Sequence, residues 1–437
     1  MNLVQITPGA GSMFCGGCLR DNALVKALRE FGHATVMVPL YLPLTLDEEN
    51  QSEGTPVFFG GINVYLQQKS AFFRKLPGWL HDWLASPRLL KLAAGSAAKT
   101  RAEDLGELTL SMIRGEEGNQ VRELDQLITW LKTQPKTDAI TLSNALLLGL
   151  ARRLKSELNT PVVCTLQGED TFLDALPEAQ RAEAWRLLRE RARDVNVFIA
   201  PSRYFGDLMR QRLHLPAEKV RVIYNGISLE GYPATPRTSA GAGGSVLGYF
   251  ARMCREKGLE TLVQAFIRLK RKPEHAGLRL KVGGSCGPTD QVLVDELRQR
   301  LRSEGILDDV EFFPNVDRHV KIELLQSLTV FSAPAMYGEA FGLYVIEALA
   351  CGVPVVQPRH AAFPELIEAT GGGVLYDPED ENALTSGLNE LLLNPAKASN
   401  LGEAGRRAVR EKFTVRRMAE EIVQLLHDLL ERRDGLS

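Results

Sequence analysis

The chain lacks several features that would set it apart from ordinary globular proteins. No apolar run approaches the roughly 20 residues that a helix needs to cross a bilayer, and the start shows neither the basic nor the apolar region of a signal peptide. The formal net charge of −2 gives no global attraction to nucleic acid. We therefore expect a cytoplasmic protein that does not bind nucleic acid.

Cysteine is scarce and scattered, with six residues and no spacing typical of a disulfide framework. This pattern favours a reducing compartment such as the cytoplasm. Cys15 and Cys18 have the C-x-x-C spacing of a redox pair or of half a zinc site. Because the sequence has no second Cys or His pair with ligand spacing, we favour two small residues in a ligand-binding loop.

Two cofactor motifs are also missing. The glycine-rich loop after the first predicted strand has no strict G-x-G-x-x-G, so a dinucleotide-binding fingerprint is not supported. The sequence has no Asp-x-Asp dyad and no histidine cluster suited to a divalent ion. We therefore predict neither a metal nor a cofactor.

A chain of 437 residues is long enough for two domains. Predicted strands and helices alternate in two blocks, which is typical of two parallel-sheet α/β domains. The clearest linker is residues 228–244, rich in Pro, Gly and small polar residues. We predict an N-terminal domain at 1–227, a C-terminal domain at 245–412, and a last helix in 413–437 that packs back on the first domain.

The first block departs from plain alternation after residue 40. Residues 40–68 are predicted to be loop with two short strands, at 56–59 and 63–66. Within residues 70–100, aromatic and aliphatic residues are interleaved with Lys and Arg against a single acid, Asp82. Such a segment could lie on anionic lipid, pack on the domain in helical pieces, or cover an acceptor.

Two loops of the first block follow predicted strands, where parallel sheets bind their ligands. The first contains Gly16 and Gly17, which would let the backbone approach a ligand closely, although a plain tight turn would also use glycine. The second, residues 165–170, has the sequence Thr-Leu-Gln-Gly-Glu-Asp and could present polar side chains to the same cleft.

The first loop of the second block contains Arg252 and Lys257, between a strand end and a helix start. A diphosphate would lie there in such a sheet, and both side chains could neutralise it. Two basic residues in a loop are also common as surface charge, so this pattern alone is weak evidence. Arg255 is the less favoured phosphate contact.

Residues 337–356 contain Glu339 in a turn and Glu347 eight positions later in an apolar helix. A helix that begins near Phe341 directs backbone N–H groups forward, which favours an anion such as phosphate. Carboxylates beside that point suit hydroxyl groups, and a phosphate flanked by hydroxyls describes a nucleotide-sugar. A glycosidase carboxylate pair is less favoured because both glutamates come from one short segment.

Taken in order, these pieces resemble the retaining glycosyltransferases of family 4, which have the GT-B fold. The resemblance covers most of the chain. The matching segments are Gly16-Gly17 with the following helix, Gly32-His33, residues 200–204, residues 222–227, Arg252 to Gly258, and Glu339 to Val356. The last segment, with Glu339-Ala340-Phe341-Gly342 ahead of Glu347, is the most specific.

The resemblance implies an α/β GT-B architecture, in which two Rossmann-like domains face each other across a cleft. It also implies retaining, metal-independent transfer of a sugar from a nucleoside-diphosphate donor to a hydroxyl acceptor. The residues that it places in catalysis are Glu339, Lys257, Arg252 and Gln167. Those that it places in donor binding are Gly16, Gly17, Ala340, Phe341, Gly342, Leu343 and Glu347.

The implied roles follow the chemistry of the donor. Glu347 would hold the ribose hydroxyls, and Glu339 with the backbone near Gly342 would hold the sugar hydroxyls and the phosphate. Arg252 and Lys257 would neutralise the departing diphosphate, which is electrostatic catalysis.

One position departs from the family pattern. Where the family usually has a histidine close to the reacting carbon, this chain has Gln167. Glutamine can hydrogen-bond a sugar hydroxyl but cannot titrate near neutrality. Either Gln167 replaces the histidine, or Glu169 or Asp170 takes part of its role, or the chain is inactive.

The acceptor is expected to be a carbohydrate, a lipid-linked molecule or a small molecule with a hydroxyl group. Peripheral membrane contact through residues 70–100 would place the protein on the cytoplasmic face of a membrane. Two alternatives stay open: a GT-B nucleotide-sugar epimerase or hydrolase, and a non-catalytic nucleotide-sugar-binding protein. Incubation with donor alone distinguishes the first, and nucleotide binding without turnover distinguishes the second.

Overall fold

The computed structural model describes residues 1–9, 16–44, 46, 48–59, 102–235 and 244–434. Residues 70–100, with their predicted lipid or acceptor contact, lie outside the described residues, as do Cys15 and residues 236–243 of the predicted linker. The chain forms two compact units, Met1–Ile223 with Met418–Ser437, and Tyr224–Arg417.

Six parallel strands form the sheet of the first unit: β1 Asn2–Thr7, β2 Ala34–Pro39, β3 Ala139–Leu142, β4 Val162–Thr165, β5 Val197–Ala200 and β6 Val220–Val222. Their order in the sheet is β2-β1-β3-β4-β5-β6. Every residue of β3 and β4 is buried, because crossover helices cover both faces of a parallel sheet.

The helices of the first unit follow its strands. They are α1 Gly16–Glu30, α2 Ala102–Arg114, α3 Val121–Thr133, α4 Ala151–Leu158, α5 Glu169–Asp174, α6 Glu178–Arg191 and α7 Arg203–Leu213. The side chain of Ser202 accepts a hydrogen bond from the Phe205 N–H and so defines the start of α7. The short helix α5 has no apolar periodicity that would predict it.

The strand predicted at residues 56–59 is wrong. These residues form a loop, in which the Phe59 N–H donates to the Leu40 carbonyl over 2.8 Å and the Phe59 ring is buried. Of these four residues only Phe59 is buried; Pro56 is exposed, and the half-buried Phe58 ring packs on Trp130 with ring centres 5.4 Å apart. The short strand predicted at residues 63–66 lies outside the described residues.

The second unit repeats the architecture with another six parallel strands: β7 Val246–Phe250, β8 Arg279–Gly284, β9 Val310–Pro314, β10 Val330–Phe331, β11 Val355–Pro358 and β12 Gly373–Tyr376. Their order is β12-β11-β10-β7-β8-β9. The predicted α/β class, with two Rossmann-like parallel sheets, is thereby confirmed.

The helices of the second unit are α8 Leu259–Lys270, α9 Pro288–Ser303, α10 Arg318–Gln326, α11 Leu343–Ala350, α12 Phe363–Thr370, α13 Ala383–Leu393 and α14 Pro395–Lys412. The last helix, α15 Val415–Asp434, belongs to the first unit from Met418 onward. None of the described helices is long and apolar enough to span a membrane.

The boundary between the units lies ahead of the predicted linker. The Ile227 N–H donates to the Phe413 carbonyl over 2.9 Å, and the Val415 N–H donates to the Ile227 carbonyl over 3.0 Å. These bonds join residues 224–227 to the end of the second unit. The predicted domain limits at residues 227, 245 and 412 stay predictions.

Each sheet reverses its winding direction between two neighbouring strands that are not consecutive in the chain. These are β1 and β3 in the first sheet, and β7 and β10 in the second. The loops after such strands diverge, which opens the crevice where α/β sheets bind ligands. In the first unit the loops lead to Gly16 and Ser143, and in the second they contain Lys257 and Glu339.

Candidate active site

The centre of the second unit's crevice is the carboxylate of Glu339, which is 9% exposed. Its Oε2 accepts hydrogen bonds from the Lys257 ammonium over 2.6 Å and from the hydroxyls of Tyr337 and Tyr344 over 2.7 Å each. Lys257 also donates to the Tyr337 hydroxyl. Among the described residues, these three side-chain donors all meet one oxygen of Glu339, which leaves Oε1 as its outward acceptor.

The same two tyrosines hold the lysine in place. The Lys257 ammonium lies 4.6 Å from the ring centre of Tyr337 and 5.3 Å from that of Tyr344, within the range of cation–π attraction. Burial acts to raise the pKa of Glu339, but the Lys257 charge and the three hydrogen bonds outweigh it, so this pKa is lowered. Glu339 is therefore an ionised acceptor with a fixed orientation.

A helix N-terminus lies directly after this carboxylate. Gly342 precedes α11 with a φ of +96°, a conformation that favours glycine. The helix thus begins at Leu343 rather than at Phe341, where the sequence placed it. The first N–H groups of a helix have no partner within it, and they provide a binding site for phosphate oxygens.

Arg252 is already engaged by a carboxylate. Its Nε and Nη2 donate to Asp290 over 2.9 to 3.2 Å, while its side chain remains 57% exposed. Asp290 is buried at the start of α9, where it also accepts from the Gly287 N–H over 3.1 Å. This pair fixes the inner edge of the guanidinium, and the outer edge can meet an anion.

Glu347 has an unexpected partner. The Lys321 ammonium, on α10, lies 3.0 Å from the Glu347 Oε1, and the two side chains are only 9% and 15% exposed. This nearly buried ion pair orients Glu347 on α11, one carboxylate oxygen being bound by lysine.

In the first unit, Gly17 and Gln167 lie in close contact. A β-carbon at Gly17 would lie 2.5 Å from the Gln167 Oε1, so a larger residue there would displace the Gln167 amide. The Gln167 Nε2 donates to the Ser143 carbonyl over 2.8 Å. A carbonyl can only accept, which assigns the amide nitrogen to Ser143 and turns the Gln167 carbonyl oxygen toward Gly17.

A buried polar cluster supports this arrangement from below. Asp21 on α1 pairs with Arg20 over 2.9 Å and accepts a hydrogen bond from the Ser143 hydroxyl. Burial raises the pKa of Asp21, although the Arg20 charge opposes the shift. The cluster connects α1 to the end of β3 and holds the residue on which Gln167 rests.

Glu169 is held mainly by backbone groups. Its two oxygens accept from the Ala145 N–H over 2.7 Å and from the Gln167 N–H over 2.9 Å. Burial raises the pKa of Glu169 and also that of Asp170. These contacts order the Gln167 loop, while one oxygen of Asp170 is buried without a hydrogen-bond partner.

Two family models match the chain. The model described as Glycosyltransferase Family 4 matches residues 108–230, and the model described as Glycosyl transferases group 1 matches residues 238–408. Together they include Ser143 and Gln167 of the first unit and all the residues of the Glu339 cluster in the second, whereas Gly17, Arg20 and Asp21 precede the matched residues. The chain belongs to glycosyltransferase family 4.

Relatives of known activity are similar to this glycosyltransferase. A GDP-mannose-dependent phosphatidylinositol monomannoside mannosyltransferase of Mycolicibacterium smegmatis is 27% identical over 305 residues, 67% of this chain and 75% of that protein. The lipopolysaccharide core mannosyltransferase LpcC of Rhizobium leguminosarum is 31% identical over 188 residues, 43% of this chain and 52% of that protein.

Solved structures confirm the predicted GT-B fold. Sucrose-phosphate synthase from Thermosynechococcus elongatus superposes with a TM-score of 0.71 at 20% identity, covering 99% of each chain. Anabaena HepE in complex with UDP superposes with a TM-score of 0.68 at 18% identity, covering 98% of this chain and 100% of that one.

The structure brings some predicted site residues together and separates others. Lys257 meets Glu339, and Gly17 meets Gln167, whereas Arg252 and Glu347 each pair with a charge that was not predicted. The ring of Phe341 packs against those of Tyr224 and Phe413, and both Phe341 and Ala340 are buried, so their side chains support the loop rather than face a ligand. Gly16 begins α1, and Leu343 begins α11.

Sequence reasoning missed the partners that orient these groups: Tyr337, Tyr344, Asp290 and Lys321 in the second unit, and Arg20, Asp21 and Ser143 in the first. The charged pair inside the otherwise apolar start of α1 was the one visible sign, since charges rarely occupy a buried helix face without a partner. Within the described residues, no group of three His, Cys, Asp or Glu side chains could hold a metal ion. Cys18 is buried, and its Sγ accepts a hydrogen bond from the Thr7 hydroxyl over 3.9 Å.

Proposed function

We propose that this glycosyltransferase moves a sugar from a nucleoside-diphosphate donor to a hydroxyl acceptor, with retention of configuration and without a metal. The observation that supports this most is the oriented carboxylate of Glu339 bound to Lys257 at the N-terminus of α11. It combines an acceptor for sugar hydroxyls with two sources of positive potential for a phosphate.

The donor half of the reaction follows from these charges. As the bond between the sugar's anomeric carbon and the phosphate oxygen breaks, its electron pair moves to the departing diphosphate. Lys257 and the outer edge of Arg252 would stabilise that charge in place of a metal. The free Oε1 of Glu339 would accept from the sugar, and Glu347 from the ribose. The family resemblance is what points to these roles.

In a single step, retention requires the acceptor oxygen to attack the face from which the diphosphate departs. The acceptor hydroxyl then lies beside the leaving phosphate oxygen, which is the nearest base and takes its proton. In the first unit, the Gln167 carbonyl oxygen would accept a hydrogen bond from a hydroxyl near Gly17. Gln167 would thus replace the family's histidine as a hydrogen-bonding group that stays uncharged.

Binding of donor products tests the proposal first. GDP and UDP are added to the purified chain in a thermal-shift assay, since the mannosyltransferase relative depends on GDP-mannose and the HepE structure holds UDP. A nucleoside diphosphate that binds the folded protein raises its melting temperature. Failure of every nucleoside diphosphate to bind would contradict the proposed donor class.

Transfer is then measured with the matching nucleotide-sugar and a panel of hydroxyl acceptors, with and without EDTA. We expect product with the donor's anomeric configuration by NMR, and an unchanged rate with chelator. Donor incubated alone is the control, because conversion at the full rate without acceptor would identify an epimerase or hydrolase instead. Inverted product, or activity that EDTA abolishes, would contradict the respective part of the proposal.

A further inference from the structure

Helices α5, α6 and α7 enclose a surface pocket of about 550 Å³ in the first unit. Its volume is within the range of small-ligand sites, which is about 300 to 1,000 Å³. The side chains that line it are Asp174, Arg181, Ala182, Trp185, Arg189 and Arg212. Three guanidinium groups thus face one carboxylate, which leaves an excess of positive charge in the pocket.

The base of the pocket is rigid. Arg212 donates to both oxygens of Asp174 over 3.3 and 2.8 Å, and its guanidinium lies 5.1 Å from the ring centre of Trp185. The indole N–H of Trp185 donates to Asp174 over 2.9 Å, and the residue is buried. Asp174 and Arg212 therefore neutralise each other and form a fixed platform with the indole.

The two other arginines are oriented but not neutralised. Arg181 donates to the Asp174 carbonyl over 3.4 Å, and the Arg189 Nε donates to the Arg212 carbonyl over 2.9 Å. Neither forms an ion pair with any carboxylate in the part of the chain that the structure describes. By contrast, the surface residue Arg186 of α6 forms ion pairs with Glu183 and Glu190.

We propose that this pocket binds the phosphate group of a phosphorylated organic ligand through Arg181 and Arg189. Arginine suits this role because its planar fork matches the geometry of phosphate oxygens and keeps its charge. The volume exceeds that of a phosphate ion, which leaves room for the remainder of the ligand beside the partly exposed Asp174–Arg212 pair.

Helix α5 relates the pocket to the Gln167 loop. Glu169 at its start receives the Gln167 N–H, and Asp174 at its end forms the pocket platform. Five helical steps of 1.5 Å separate the two residues, or about 8 Å. Asp170 and Asp174, four residues apart, share a face of this helix. We assign the phosphate to the acceptor, an assignment that rests on the proposed glycosyl transfer.

Binding is tested by calorimetry on the full chain with three probes: inorganic phosphate, mannose 6-phosphate, and phosphatidylcholine vesicles with or without phosphatidylinositol. The test variant is Arg181→Gln with Arg189→Gln, and the matched control is Arg186→Gln on the same helix. We expect the double variant to bind the phosphorylated probe at least tenfold more weakly, with the control like wild type. Circular dichroism and melting temperature confirm that both variants fold.

The outcomes test separately whether the pocket binds phosphate, which kind of molecule carries that phosphate, and whether that molecule is the sugar acceptor. If wild type binds mannose 6-phosphate and the double variant does not, the ligand is a soluble phosphorylated molecule. If the double variant loses binding only to vesicles that contain phosphatidylinositol, the ligand is a lipid headgroup. Equal weakening in the control variant, or no binding of any probe, would overturn the pocket. A bound probe that receives no sugar overturns only the acceptor assignment. Because GDP and UDP binding is measured in the same samples, failure of the donor proposal would be seen separately.

Discussion

The carboxylates at the two sheet crevices differ in their hydrogen-bond donors and in the direction of their pKa shift. In the second unit, Glu339 meets a lysine and two phenols, and its pKa is lowered. In the first unit, Glu169 accepts hydrogen bonds from the backbone N–H groups of Ala145 and Gln167, and burial raises its pKa. The second crevice therefore keeps an ionised carboxylate available, whereas the first uses its carboxylates to hold a loop.

This difference agrees with the two halves of the proposed reaction. Negative charge develops on the departing diphosphate, so fixed cations and dipoles are most useful in the second unit. A neutral hydroxyl acceptor needs positioning instead, which the uncharged amide of Gln167 can supply. The arginine pocket of the first unit would contribute to acceptor binding only if the acceptor carries a negative charge.

Replacement of Lys257 should give the largest loss. Lys257→Met removes the cation that orients Glu339, and we expect transfer to fall by about 10²- to 10³-fold, the usual cost of losing one group that stabilises transition-state charge. Arg255→Gln is the control, since Arg255 lies in the same loop, is exposed and pairs with Glu260 and Glu296. Initial rates at saturating donor measure the effect, and equal rates in the two variants would contradict it.

The tyrosine contact should matter less. Tyr344→Phe removes one hydrogen bond to an ionised group, worth about 1.5 to 3 kcal/mol, so we expect a loss of roughly 10- to 100-fold. The same change should raise the pKa of Glu339 and move the acid limb of the rate profile to higher pH. Tyr376→Phe, in β12, is the control. An unmoved acid limb would mean that Tyr344 acts only in packing.

The Lys321 pair should affect nucleotide binding by a smaller factor. Lys321→Met removes the group that orients Glu347, and we expect nucleoside diphosphates to bind about 3- to 10-fold more weakly, near the value of one hydrogen bond. Nucleotides without a 2′- or 3′-hydroxyl should lose less, because the effect passes through the ribose. Equal losses for ribose and deoxyribose nucleotides would place Lys321 outside the ribose contact.

The pH dependence of stability should have opposite signs in the two units. Glu339 has a lowered pKa, so its contribution is present above about 4.5 and is lost as the pH falls through the folded value. Glu169 has a raised pKa, so the folded state gains stability as the pH falls through that value toward 4.5.

Two isosteric variants measure this contrast. The melting temperature of Glu339→Gln lies below that of wild type by an amount that should shrink below about pH 4.5. For Glu169→Gln, the corresponding difference from wild type should grow as the pH falls from 7 toward 4.5. We expect changes of about 2 to 4 °C for each kcal/mol. Parallel pH dependence in the two variants would remove the distinction between the crevices.

Much of the fold could be predicted because local patterns determine it. Apolar spacing and flanking residues predict a strand at 34–39 and a helix at 203–213, and β2 and α7 have these limits. Residues 56–59 misled the prediction because a run of Val and Phe has the composition of a strand, although only Phe59 of this loop is buried. Helix α5 escaped it because six residues are too few to show a period.

The sequence by itself determined the α/β alternation, the glycine-rich strand ends, and the spacing of Glu339 and Glu347, because each depends on neighbours along the chain. Only the tertiary structure decided which polar and charged groups meet. Lys257 and Glu339 are 82 residues apart, Arg252 and Asp290 are 38 apart, and Gln167 and Ser143 are 24 apart. Sheet order and side-chain direction bring each pair together, and neither is encoded in local spacing.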